Sequence, residues 1–400
     1  MDPATGGIYE GVRSLVIELE KLGISNTVYS LDEPSQNFLN QNGLVITGLG
    51  PGRGRWFYTK KLIPRLVKDI ERFNAILVHG LWLFHGYGFL VAMKKYLKKS
   101  SLSTGRRVPP KFFVMPHGML DPYFQKAKHR KVKAIRNSVY WKLIENKLVN
   151  HADGILFTTA EEMQLAQKTF SPYRPKRERN IGFGIQSPPA FISQMTVDFY
   201  KRCSELERKP HLLFLGRIDQ KKGVDNLLKA YTQIVSKVEN RSDKNHQPIN
   251  IPQLVIAGPG LDSPFGRDLL RIVDENSILQ KLVHFPGMLR GNEKWGAFYH
   301  ADAFVLPSHQ ENFGVAVVEA LACKKPVLLS NKVNIYKVIE EFNCGLVKED
   351  SLDGTVQLLT QYFLLSVDDR KSMAANAESA FTANFTISSV AKRMRSLFYE

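Results

Sequence analysis

Short runs of apolar and β-branched residues recur along the chain. Each is followed by a longer stretch in which apolar positions return every three or four residues. The runs at 27–31, 75–79, 112–115, 154–158, 211–215, 253–257, 281–285, 303–306 and 326–330 predict buried strands. Between them the spacing predicts amphipathic helices, as at 11–22 and 223–237. Strand–helix alternation on this scale predicts an α/β fold of doubly wound parallel sheets. Two adjacent prolines in QSPPAFIS (186–193) mark a linker, which sets a domain at 1–187 against one at 188–384, with a helix at 385–400 closing the chain. The polar stretch VENRSDKNHQPIN (238–250) reads as a surface loop.

The 19 positions AILVHGLWLFHGYGFLVAM (75–93) carry no Asp, Glu, Lys or Arg. Two His and three Gly divide them into a strand, a glycine-rich turn and a helix start, in place of a membrane span. The start MDPATGGIYE has no apolar run of the kind a secretory signal needs. A length of 400 residues suits two or three domains, and 44% hydrophobic with 23% charged residues suits a soluble globular protein. Three cysteines, Cys203, Cys323 and Cys344, are too few and too scattered for a disulfide framework or a zinc site, which fits a reducing, cytoplasmic setting. The net charge of +17 gathers in the first half, in KKLIPRLVKDIER, MKKYLKKSS and KAKHRKVKAIRNSVYWK, and favours anionic partners. Without an RNP, zinc-finger or KH motif, nucleic acid is not the expected one; a phosphorylated substrate or an anionic membrane surface is.

Candidate chemistry collects at strand ends in the second half. In LLFLGRIDQKKGVDNLLKA (212–230) a buried strand runs into Gly216, then Arg217, a short loop and Lys222, all ahead of a helix. Ligands of open α/β sheets sit outside the carboxyl ends of the strands. There a bidentate Arg and a point-charge Lys suit a diphosphate. LVIAGPG (254–260) brings Gly258 to a second strand end, and HFPGML (284–289) brings Gly287 and Met288 to a third. ADAFVLPS then leads into HQENFGVAVVEALA (309–322). The amides of Asn312, Phe313, Gly314 and Val315 stand at a helix N-terminus, a ready phosphate site. Glu311 before it and Glu319 inside the helix would be misplaced beside phosphate unless each addresses hydroxyls, one set on a sugar and the other on a ribose. Sugar, diphosphate and ribose in a row describe a nucleotide sugar.

Taken in order, GRIDQKKG, VIAGPG, VHFPGML and ENFGVAVVE, with GGIYEGVRSLVIELEKLG, ILVHGLW and VMPHGML in the first half, resemble the retaining family 4 glycosyltransferases of GT-B fold along nearly the whole chain. The resemblance implies two Rossmann-like domains facing a cleft, with the C-terminal helix packing back on the first. It gives Arg217 and Lys222 to the donor diphosphate, Glu311 to the sugar hydroxyls and Glu319 to the ribose. It sets Gly6 and Gly7 beside the phosphates and His117 against the sugar. ERNIGFGIQ (178–186) departs from the family's Pro-Asn-Gly-hydrophobic-Asp turn and receives no site role. GLGPGRGRW (48–56) reads as a mobile acceptor-side loop that binds no phosphate.

The expected activity is transfer of a sugar from a nucleoside-diphosphate sugar to an acceptor hydroxyl with retention. Expected acceptors are glycans or lipid-linked chains in polysaccharide or glycolipid synthesis, made by an enzyme in the cytoplasm or at the inner face of the membrane. No metal or other cofactor is expected. A nucleotide-sugar epimerase or phosphorylase on the same architecture, or a non-enzymatic module for anionic glycans or lipids, would share parts of this pattern. The family pattern also has a strand ahead of the Gly-Gly loop, whereas here Met1 already falls in that loop, so the expectation is a natural start upstream.

Overall fold

The computed structural model describes residues 7–40, 45–101, 108–127, 130–206, 209–239 and 251–400. It divides into two compact units, one of Met1–Ile185 with Ile387–Glu400 and the other of Gln186–Thr386.

The N-terminal unit holds β1 (Val28–Ser30), β2 (Ile46–Gly48), β3 (Ala75–His79), β4 (Lys111–Met115), β5 (Gly154–Phe157) and β6 (Glu178–Asn180). β1 and β2 form a parallel pair, and β3-β4-β5-β6 form a parallel sheet in that order. Among the described residues no ladder joins the two pieces. Gly7 opens the helix Gly7–Lys21, whose buried Tyr9, Val12 and Val16 pack on Leu39 and Ile46. Gly6 and the expectation about the chain's start lie outside the described residues. The helix Ile387–Tyr399 belongs to this unit, where Arg393 Nε donates to the Ile181 carbonyl at 2.7 Å.

The C-terminal unit holds β7 (His211–Leu215), β8 (Gln253–Ala257), β9 (Val283–Gly287), β10 (Ala303–Leu306), β11 (Val327–Ser330) and β12 (Gly345–Lys348), in the order β12-β11-β10-β7-β8-β9. Every neighbouring pair is parallel. Because both faces are covered by helices, β8, β10 and β11 are buried at every position, which is why they read as unbroken apolar runs. The chain winds outward from β7 to β9, then returns to the far side of β7 for β10. β7 and β10 are therefore neighbours at the point where the winding reverses, and the loops that follow them share one crevice.

Two expectations are corrected. Residues 281–282 end a short helix, Leu279–Leu282, and β9 starts at Val283, because a helical turn uses Leu279 to reach the core. The helix that opens at Val224 runs on through Glu239, so 238 and 239 belong to it and not to a loop; 240–250 lie outside the described residues. The stretch at 48–56 folds back on itself, with Arg53 and Tyr58 bridged and Trp56 set edge-on to Phe84 at 5.2 Å.

Two local features position the strand ends. Gly258, at φ 145°, lies so close to its neighbour that a Cβ would sit 1.8 Å from the Gly216 carbonyl oxygen; Gly223, at φ 67°, would place one 2.1 Å from that of Pro307. Glycine there lets the loops after β7, β8 and β10 meet backbone to backbone. In the N-terminal unit the helix that ends at Tyr140 continues through a π-helical stretch, Trp141–Glu145, which turns Glu145 into the core. Its carboxylate accepts the Trp82 N–H at 2.8 Å, while Oε2 is buried without a partner. Trp82 itself stands at φ 73°, so this bond holds a left-handed residue in the loop after β3. Burial pushes the Glu145 carboxyl up to about 7, against a weaker downward pull from the Trp82 N–H.

Gly258→Ala should cost on the order of 3 kcal/mol or more, because the new methyl meets backbone that cannot give way; chemical denaturation measures it. For Glu145 the folded state holds its proton more tightly than the unfolded chain does. Its contribution to stability is therefore full below the ordinary value of 4.5 and is lost as pH rises through about 7. Each tenfold difference in proton affinity is about 1.4 kcal/mol. Glu145→Gln should accordingly remove up to roughly 3 kcal/mol of stability loss between mildly acidic and mildly alkaline pH. Melting curves across that range would show it as a flatter profile.

Candidate active site

At the reversal between β7 and β10, Lys222 closes the short turn Gln220–Lys222 after β7, and Glu311 lies in the loop after β10. Their side chains form an ion pair, with 16% of Lys222 and 17% of Glu311 exposed. The two loops are also tied through backbone, His309 N–H donating to the Lys221 carbonyl at 2.9 Å. Burial alone would push Glu311 up; Lys222 and Lys221 outweigh it and, with the Gly314 N–H, hold the carboxyl below the usual range. Burial works the opposite way on Lys221 and lowers it. Glu311 is pinned through its backbone as well, its N–H donating to Lys332 and its carbonyl accepting from Asn334, both at 2.9 Å.

Gly314, at φ 75°, caps the helix Val315–Ala322. The positive φ turns the chain sharply from the Glu311 loop into the helix, leaving the first helical amides free of backbone partners within it. Asn312 stands beside Asn334, whose Nδ2 donates to Asn312 Oδ1 at 3.4 Å. Phe313 points into the core, 5.7 Å from Phe385, so its side chain serves packing and only its backbone faces the loop. Glu319 lies in the second turn, where its Oε1 accepts from Lys294 Nζ at 2.5 Å. Lys294 in turn lies over the Trp295 ring, 4.5 Å from its centre.

Arg217 follows β7 and Gly216 and is 72% exposed, with Asp219 at 3.9 Å. Gly216, Gly258 and Gly287 end three adjacent strands, linked by Gly216 N–H to Ala257 at 3.0 Å and Gly258 N–H to Gly287 at 2.9 Å. Met288 is half exposed just beyond, 3.3 Å from Arg290. In this unit the fold thus brings Lys222, Glu311 and Gly314 into direct contact, sets Arg217 and the three glycines on the same strand edge, and gives Glu319 a separate cation.

In the N-terminal unit His117, at φ 52°, stands early in the loop after β4, and Gly7 begins its helix. His117 Nε2 lies 2.9 Å from His79 Nδ1, with the rings stacked at 19°. Burial lowers both, His79 to about 3 and His117 to about 4, so both are neutral near pH 7 and share one proton between the facing nitrogens. Glu162 accepts the Gly118 N–H at 2.6 Å and fixes the turn that carries His117. Phe183 stands edge-on to His117 at 6.2 Å and fills the space over Gly11, where a Cβ would meet its ring at 1.8 Å.

Lys221, Lys294, Asn334, His79, Glu162 and Phe183 were not among the expected site residues. Lys221 adjoins Lys222 in QKK, and His79 ends a strand as His117 follows one, so each carried a usable signal. Lys294 and Asn334 come from segments whose local pattern shows only an amphipathic helix and a turn. Among the described residues no cluster of three or more His, Cys, Asp and Glu could hold a metal ion.

Residues 198–380 match the family model described as glycosyl transferases group 1. The D-inositol 3-phosphate glycosyltransferase of Corynebacterium urealyticum is 22% identical over 418 residues, covering 98% of this chain and 90% of its own. Among solved structures, a sucrose-phosphate synthase from Thermosynechococcus elongatus superposes with a TM-score of 0.68 at 19% identity, over 98% of this chain and 93% of the other. Anabaena Alr3699/HepE in complex with UDP-glucose does so with a TM-score of 0.66 at 14% identity, over 97% and 96%. The parallel sheets in two units, the reversal between β7 and β10 and these likenesses together give the chain the GT-B fold, with a C-terminal unit that matches the glycosyl transferases group 1.

Proposed function

We propose that the chain moves a hexosyl group from a nucleoside-diphosphate sugar to an acceptor hydroxyl with retention, its donor seated at the reversal between β7 and β10. The observation that carries this reading is the Lys222–Glu311 ion pair beside the N-terminus of Val315–Ala322. A buried charge left alone costs several kcal/mol, so in the ligand-free chain each member satisfies the other. A donor offers each a separate partner: the diphosphate takes Lys222, Arg217 and the helix amides, while sugar hydroxyls donate to Glu311. Glu319 takes the ribose hydroxyls in exchange for part of its bond to Lys294. Such donors are worth most where charge develops, on the departing diphosphate.

In the reaction the bond from the anomeric carbon to the phosphate oxygen breaks. The acceptor oxygen bonds to that carbon on the same face, and its proton passes to the leaving phosphate oxygen. Cationic side chains and amides suffice to hold the product diphosphate, so the reading requires no metal. Neutral His117 can both donate and accept a hydrogen bond. For the acceptor we propose a glycan or lipid-linked chain in polysaccharide or glycolipid synthesis, handled in the cytoplasm at an anionic membrane surface. The bound UDP-glucose named for the Anabaena structure makes that compound the first donor to try.

Thermal melts against a panel of nucleotide sugars test the reading. A cognate donor at 100 times its Kd adds about 2.7 kcal/mol, and a panel that leaves the melt unmoved would contradict it. Incubating the best donor without acceptor, with and without inorganic phosphate, separates the reading from its rivals: an epimerase would convert the donor unaided, and a phosphorylase would cleave it once phosphate is added.

Lys222→Ala should cut turnover at least ~100-fold and cost roughly 3–5 kcal/mol of stability by stranding Glu311. Adding Glu311→Gln should restore stability without restoring turnover, which denaturation and a product assay read side by side. Glu319→Gln should weaken binding of the free nucleoside diphosphate, whereas Glu311→Gln should leave it nearly unchanged; calorimetry with UDP distinguishes them, and equal losses would refute the division of roles. Turnover should also survive treatment with EDTA.

A further inference from the structure

From Lys131 to Tyr140 and on through Trp141–Glu145 the N-terminal unit carries one helical run whose two sides differ sharply. Asn137, Trp141, Glu145 and Leu148 are buried and seat it on the unit. On the opposite side, at spacings of three, four and four residues, stand Val132, Ile135, Val139 and Leu143. They are 82%, 68%, 48% and 62% exposed, high values for four large aliphatic side chains in a row. About 100° per residue puts all four within one narrow stripe. Lys131 and Lys142 fall on one flank of that stripe, Arg136 and Lys133 on the other, and all four are exposed. Across 126–147 the only acidic residue is Glu145, and that one is turned inward.

We propose that this face is a lipid-docking surface: the Val132–Ile135–Val139–Leu143 stripe inserts between the headgroups of an anionic bilayer while the flanking lysines and arginine meet lipid phosphates. An apolar stripe with cations on both sides is the arrangement that lies in the plane of a bilayer surface. The same cations on a nucleic acid would leave the aliphatic stripe without a partner, and a second copy of the chain would set cation against cation. The helix is too short and too polar to span, in keeping with the absence of any membrane-crossing helix among the described residues. The basic residues alone account for attraction to a charged surface, which salt removes. The stripe adds a component that salt does not remove, since screening acts on charges and not on buried apolar area.

The proposal deepens the membrane association suggested above and is read without turnover, so it can fail while the glycosyl-transfer reading stands, and the reverse. The test is flotation of the full chain with vesicles of phosphatidylcholine alone and of phosphatidylcholine with one third phosphatidylglycerol, at low and high salt. Wild-type protein should float with the anionic vesicles and keep a measurable fraction bound at high salt. Ile135→Asn with Leu143→Asn, both at exposed positions, should lower partitioning at least about tenfold and abolish the salt-resistant fraction. Lys131→Gln, Lys133→Gln, Arg136→Gln and Lys142→Gln together should remove the preference for anionic vesicles. Circular dichroism confirms that each variant is folded. Wild-type protein that ignores both vesicle types would overturn the proposal. So would Asn variants that float as wild type does, tighter binding to a DNA duplex than to vesicles, or a dimer that the Asn variants abolish.

Discussion

Opposite charges held together in a place that water barely reaches are the constraint on which the C-terminal unit is organised. Lys222 and Glu311 come from loops after two different strands, and only the reversal of winding between β7 and β10 makes those strands neighbours. The glycines then follow from the charges. For the loops to bring a lysine and a glutamate into contact, their backbones must nearly touch, and Gly223 against Pro307 and Gly258 against Gly216 permit that approach. The Gly314 N–H completes the arrangement by adding its hydrogen bond to the cations that hold Glu311 ionised. The charges of this site balance one another, and in the function proposed above a ligand with an anionic middle and hydroxylated ends takes each of them as a partner.

The N-terminal unit solves a different problem with neutral groups. His79 and His117 are buried together, and burial holds both uncharged, so their contact is a single shared hydrogen bond in place of a repulsion. The left-handed residues beside them are each held by a buried carboxylate, Gly118 by Glu162 and Trp82 by Glu145. The turn that departs from the family pattern has a structural reason as well. Phe183 takes up the space over Gly11 and leans on His117, so the departure and the glycine in the first helix are two parts of one packing arrangement.

Much of this was legible in the sequence wherever burial on both faces leaves an unbroken apolar run. β7, β8 and β10 begin and end where the pattern puts them, and so does β3, an apolar run although only partly buried. β2, β6 and β12 escaped notice because they are three or four residues long and partly exposed, so no period can establish itself. The strand-end glycines and the residues around Gly314 were legible because loops at a sheet's carboxyl edge have few ways to meet. What the pattern could not show is pairing across the fold. That Lys222 meets Glu311 over 89 positions, or that Lys294 meets Glu319, depends on strand order, and strand order is a property of the whole sheet. The exposed stripe at Val132, Ile135, Val139 and Leu143 was hidden for the converse reason: an apolar period predicts a buried face until the structure shows that Asn137, Trp141 and Glu145 occupy that face instead.

The central claim is that the Lys222–Glu311 pair opens to admit a nucleoside-diphosphate sugar. The most direct measurement is an X-ray structure of the chain with the nucleotide sugar that stabilises it most. The account expects the diphosphate against the amides at Gly314, Lys222 turned from Glu311 onto a phosphate oxygen, and Glu311 accepting from sugar hydroxyls. A nucleotide sugar bound elsewhere, with Lys222 and Glu311 still joined, would contradict it.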